Sequence, residues 1–147
     1  MSRAVEVEIP KSCHAILSGN MMGTMSTLRK KDGLISTNPV GYVWDGKRIR
    51  VSTLKSHVKY QSLLANPTIT FCVISRENIT QYIEIRGSAT IEDDSDRSFF
   101  RRQYLEGTGG QEPPDDLDPP DAERVVITIH PEQVSSPTIH GGRFDTK

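Results

Sequence analysis

The chain has 147 residues, 35% of them apolar, and a net charge of −1, which suits one compact domain with a modest core and is too little for two. No run approaches the roughly 20 apolar residues of a membrane span, and the start at Met1 lacks the apolar stretch of a secretory signal, so the cytoplasm is the expected compartment. Residues 106–123 hold seven of the nineteen carboxylates and no Lys or Arg; the remaining eighteen basic against twelve acidic side chains are too diffuse for a nucleic-acid footprint.

In chain order, residues 1–9 read as an N-terminal arm. Pro10 to Leu17 predicts a short helix stopped near Gly19-Asn20, with Pro10 suited to its first turn. Met21 to Leu28 and Leu34 to Trp44 read as strands joined by a hairpin at Asp32-Gly33, and Met21, Met22 and Met25 as gap fillers in a small core in preference to a substrate-adaptable wall. A turn at Asp45-Gly46-Lys47 leads into a third strand, Arg48 to Thr53. Lys55 to Ala65 predicts a helix ended by Asn66-Pro67, followed by alternating strands at Thr68 to Ser75 and Tyr82 to Ile91. A helix over Asp96 to Leu105 turns Phe99 and Phe100 inward, and Arg124 to His130 is the last strand. The acidic proline-rich segment, residues 106–123, reads as a surface loop and foremost as a solvated spacer. Residues 132–147 read as a tail whose Gly141-Gly142-Arg143-Phe144 either frays or reaches a neighbouring groove. Six strands with few short helices favour a mainly β fold, a closed or nearly closed antiparallel barrel in one domain over residues 1–147.

The chemically informative stretch is Val51 to Lys59, where a strand ends in Ser52 and Thr53 and passes Lys55, His57 and Lys59 as a helix begins. With Ser56 as N-cap, Lys59 falls in the first turn, where the positive end of the helix disfavours it by only about 0.3–1 kcal/mol. Two readings follow: an anion cradle of amides, hydroxyls and a lysine, or a solvated helix start. Cys13 and Cys72 form no C-x-x-C and join no His/Cys cluster at metal-ligand spacing, so they read as small core residues and no metal is assigned. Gly107, Gly109 and Gly110 lack the lysine of a phosphate loop, and no nucleophile elbow or Ser-His-Asp order is present, so no catalytic residue is assigned.

From Pro10 to Pro131, the order strand, Thr53, Lys59, helix, Asn66-Pro67, strand resembles the flavin-binding split-barrel superfamily of pyridoxamine 5'-phosphate oxidase. Asp32-Gly33, Asn38, Tyr42, Trp44-Asp45, Val51-Ser52, His57, Lys59 and Asn66-Pro67 look most like actinobacterial deazaflavin (coenzyme F420) oxidoreductases of the branch that includes biliverdin reductases.

The resemblance implies a six-stranded split β-barrel that forms homodimers with cofactor grooves at the subunit interface. It implies that Lys59, with Lys55 and His57 beside it, holds the cofactor phosphate, and that Ser52 and Thr53 bond the phosphate or ribityl chain. Ser36, Asn38 and Val40 would face the ring, and Tyr82 would approach it, in one arrangement from the other subunit. True oxidases carry adjacent Arg-Lys where this chain has Val58-Lys59, which tilts the cofactor from FMN toward F420. They also have a longer C-terminal part that this chain lacks. The implied activity is hydride transfer from F420 to a conjugated organic small-molecule substrate. The alternatives are an FMN-dependent oxidase or flavin reductase and a non-catalytic cofactor or tetrapyrrole carrier.

Overall fold

A computed structural model describes residues 5–137. Its single antiparallel sheet has seven strands: β1 Met22–Leu28, β2 Ile35–Gly41, β3 Val43–Trp44, β4 Ile49–Leu54, β5 Thr68–Ile74, β6 Tyr82–Asp93 and β7 Arg124–Ser135, in the spatial order β2-β1-β5-β6-β7-β4-β3. The two outermost strands, β2 and β3, are one stretch of chain bent at Tyr42. Its first part pairs with β1 from Gly41↔Met22 to Ile35↔Leu28, and its last two residues pair with β4. That shared stretch curls the sheet into the expected mainly β barrel; the count is seven instead of six because one strand is split.

The bend is fixed by Tyr42, buried to 5%, whose hydroxyl donates to the Leu17 carbonyl at 2.6 Å and whose ring meets the Phe71 edge. Burial raises its pKa, so the phenol stays a neutral donor. Alternation supplies the core: Met25, Val51, Ile69, Phe71, Val73, Ile83, Ile85, Ile127 and Ile129 are each 1% exposed or less. Gly33 and Gly46 sit at positive φ in the two expected turns, whose Asp32 and Asp45 carboxylates accept backbone amides two or three residues on.

The β6–β7 ladder shifts register between Arg86 and Gly87, so that Gly87 faces Pro131 and Arg86 faces Gln133. A Cβ on Gly87 would stand 2.0 Å from the His130 carbonyl oxygen, so only glycine permits this approach. The bulge also lets β7 run on to Ser135, taking in the first residues of the expected tail.

Among the described residues three helices decorate the barrel: α1 His14–Ser18, continuing a 3-10 turn at Lys11–Cys13; α2 Val58–Ala65; and α3 Ser98–Thr108. The buried carboxylate of Asp94 accepts the Phe99 and Phe100 amides, with Arg97 turned to positive φ between them. This starts α3 two residues later than expected and carries its last turn into the acidic segment. Residues 138–147, including His140 and the Gly141–Phe144 motif, lie outside the described residues, as do residues 1–4. No helix among the described residues is long and apolar enough to cross a membrane.

Candidate functional site

β4 carries Ser52 and Thr53 to the point where the chain leaves the sheet. Thr53 points inward and is 2% exposed, while Ser52 is partly exposed on the other face. A turn closed by the His57 amide on the Leu54 carbonyl, at 3.0 Å, then swings the chain into α2.

The N-cap of α2 is His57, not the expected Ser56, and no side chain caps the helix. The imidazole Nδ1 is instead paired with Thr53 Oγ1 at 3.0 Å. The first amides of α2 therefore have no side-chain acceptor among the described residues.

Lys59 falls in the first helical turn. It is partly buried, and among the described residues it has no hydrogen-bond or ion-pair partner; burial holds its pKa below the usual 10.5 of a lysine. Partial desolvation, then the neighbouring Lys59 and Arg124 cations, likewise hold the His57 imidazole below 6.5 against the opposing pull of Asp118. An unpaired cation at an uncapped helix start is electrostatically unfavourable, and one bound anion relieves both defects. The Thr53–His57 pair is no nucleophile and base, because the Thr53 hydroxyl is sealed from any substrate.

Ser52 is held twice: its amide donates to Gln103 Oε1 at 3.0 Å, and its hydroxyl accepts from Arg124 Nη1 at 3.4 Å. Arg124 stacks 3.9 Å from the Phe100 ring centre and grips Asp118 with Nε and Nη2 at 2.8 and 2.7 Å. Arg97 reaches the same carboxylate at 3.1 Å and also bonds the Ala122 carbonyl. The Arg124 guanidinium keeps the Asp118 carboxyl below its ordinary 3.8. The acidic segment is thus a largely exposed surface loop anchored through Asp118, with Glu112 on Arg101 as a second, exposed tether.

The other predicted residues separate. Lys55 turns away, its Nζ 3.2 Å from Asp93 and 2.9 Å from Glu123, whose carboxylates raise its pKa. Ser36, Asn38 and Val40 share the partly buried face of β2, and β2 approaches β4. The Ser36 and Asn38 side chains have no hydrogen-bond partner among the described residues, so their polar atoms remain available to a ligand. Tyr82 begins β6, at the opposite end of that strand from the Asp93 that meets Lys55. Thus Thr53 and His57 bond, Ser52 and Lys59 lie on the same strand end and helix start, the β2 trio shares one face of a strand that touches β4, and Lys55 and Tyr82 stand apart.

Gln103, Asp118 and Arg124 were not foreseen. Nothing local marks Gln103 on an exposed-looking helix or Asp118 among six other acids; the lone arginine that ends the acidic run was the one available sign. Among the described residues, no group of three His, Cys, Asp or Glu side chains is placed to hold a metal.

A family model described as pyridoxamine 5'-phosphate oxidase matches residues 9–136. A solved structure named F420 reductase is 29% identical, with a TM-score of 0.74 over 86% of this chain and 98% of that one. A FAD-binding protein from Mesorhizobium loti (20% identity, TM-score 0.60, 90% and 96% covered) shares the fold. So does a pyridoxamine 5'-phosphate oxidase-related FMN-binding protein from Nostoc punctiforme (14%, 0.61, 88% and 82%). No curated protein matches the chain.

Proposed function

Because the chain belongs to the pyridoxamine 5'-phosphate oxidase family of flavin-binding split barrels, we propose that it is an oxidoreductase whose phosphorylated flavin-type cofactor is coenzyme F420. The observation that carries this reading is Lys59: a partly buried lysine without a counter-ion among the described residues, beside helix-start amides that no described side chain caps. That donor set fits a phosphate, and the free polar groups of Ser36 and Asn38 fit the edge of a heteroaromatic ring. Likeness to an F420 reductase at 29% identity and Val58 in place of the oxidases' arginine favour F420 over FMN.

When bound, the cofactor supplies hydride chemistry, and the substrate would be a conjugated organic molecule. The protein's share is positional: Lys59 and the α2 amides hold the phosphate, Ser52 is fixed by Gln103 and Arg124, and the β2 face aligns the ring. We further place the active form as a homodimer in the cytoplasm, with Tyr82 of the partner subunit completing the groove.

A melting screen tests the cofactor. At 100-fold excess over Kd a ligand adds about 2.7 kcal/mol, a rise of roughly 5–10 °C for a chain of this size. F420 is expected to give that rise and FMN and FAD less. A larger shift with FMN, on yellow protein, would move the assignment to an FMN enzyme. Binding without turnover of any reduced cofactor would leave a carrier. Sedimentation should show a dimer, and a monomer at micromolar concentration would remove Tyr82 from the site.

A further inference from the structure

The methionines do not behave alike. Met25 is fully buried and fills the core, but Met21 and Met22 are 50% and 56% exposed. They line a cavity of about 410 Å³ between the end of α1, the bend at Tyr42 and the second half of α3. That volume lies in the range of small-molecule sites, roughly 300–1,000 Å³. We infer that this cavity is the substrate site and takes a flat, uncharged or cationic conjugated molecule while rejecting anions. Only the word substrate rests on the proposed oxidoreductase function; the binding preference does not.

The lining carries the argument. Its exposed apolar surface is Trp44 and the two thioethers, which re-shape readily around planar ligands, and the polar Ser18, Asn20 and Gln103 stand beside them. Among the described residues its one charged group is Glu106, and no Lys, Arg or His lines it. Arg102, which pairs with Glu106 one turn back on α3, stays outside the wall.

The start of α2 is the reverse, with an unpaired lysine. The two regions therefore sort ligands by charge: an anion is drawn to Lys59, whereas in the cavity it would lose water and meet no basic side chain among the described residues, Glu106 being already paired with Arg102. One side chain separates them. Gln103 takes the Ser52 amide with Oε1, and its Nε2 would stand 3.1 Å from a Cβ on Gly41, in the cavity wall. A molecule in the cavity thus lies one side chain from the strand that ends at the anion site.

Trp44 is the chain's single tryptophan and lines the cavity, so its fluorescence reports occupancy. Full-length protein is titrated with 1,4-naphthoquinone and with 1,4-naphthoquinone-2-sulfonate, which differ by one negative charge. Saturable quenching is expected with the neutral quinone at an affinity about tenfold or more above that for the sulfonate. Met22→Arg, at an exposed strand position, is expected to reverse the order while leaving the melting temperature and the cofactor-induced shift unchanged. Non-saturable quenching, equal affinities, or an order that Met22→Arg fails to change would overturn the assignment. Failure of the two readings is separable: loss of quinone selectivity with the cofactor shift intact sinks only the cavity. Quinone selectivity without any cofactor shift supports the cavity and sinks the oxidoreductase.

Discussion

At the scale of single residues, the proposed site rests on what Lys59 lacks among the described residues. Partly buried and unpartnered, it gains a charge-assisted contact once an anion arrives, so Lys59→Ala should weaken cofactor affinity by about 1.5–3 kcal/mol. Calorimetric titration checks this, and unchanged affinity would remove Lys59 from the site. His57 sets the pH dependence. Its folded pKa is depressed below the unfolded 6.5, so the unfolded chain holds more proton in that window; without cofactor, stability falls as pH drops through 6.5 toward the folded value. A bound phosphate favours the charged imidazole and reverses this sign, so cofactor affinity should rise as pH falls through 6.5. His57→Gln should flatten both curves, which melting and binding series from pH 5 to 8 would reveal. That Ser52, Thr53, His57 and Lys59 are neighbours was legible because their spacing across a strand end and a helix start is local, but the expected ligand contact of Thr53 was not, since its hydroxyl is sealed and bonds His57. Gln103 and Arg124 were not, because they reach Ser52 from 51 and 72 residues away.

At the scale of elements, the acidic segment changes character once folded. Its composition says solvated loop, yet Asp118 is 9% exposed and holds Arg97 and Arg124 together beneath it. Breaking a buried ion pair from one side leaves a charge uncompensated, at about 3–5 kcal/mol. Asp118→Asn should therefore lower unfolding stability in urea by about that amount, whereas Asp115→Asn and Asp116→Asn, at exposed positions, should change it by less than about 0.5 kcal/mol. Equal effects of the three would show that Asp118 anchors nothing. The same logic explains α3: the Asp94 carboxylate caps it from outside, an arrangement invisible to a search for a capping residue adjacent to the helix.

At the scale of the whole molecule, one bent strand makes the barrel. Tyr42 holds the corner through its bond to Leu17, whose carbonyl belongs to a fully buried residue. Tyr42→Phe keeps the ring against Phe71 but strands that carbonyl, so it should cost about 1–3 kcal/mol in denaturant unfolding with the barrel retained. No loss would mean that the Leu17 carbonyl finds another donor and that ring packing alone sets the bend. The corner also matters to function, since Gly41, Tyr42, Val43 and Trp44 form one wall of the proposed substrate cavity.

The sequence by itself determined the strands, the two Asp-Gly turns, the short helices and the four neighbours from Ser52 to Lys59, because alternation, turn chemistry and strand-end spacing act over a few residues. Tertiary structure alone decided that β2 and β3 are one bent strand, that Lys55 is spent on Asp93 and Glu123, that the acidic loop is tied at Asp118, and that Met21 and Met22 face a cavity. Each of these depends on which distant segments the closed sheet brings side by side, and burial and pairing across such distances leave no periodic mark on the chain.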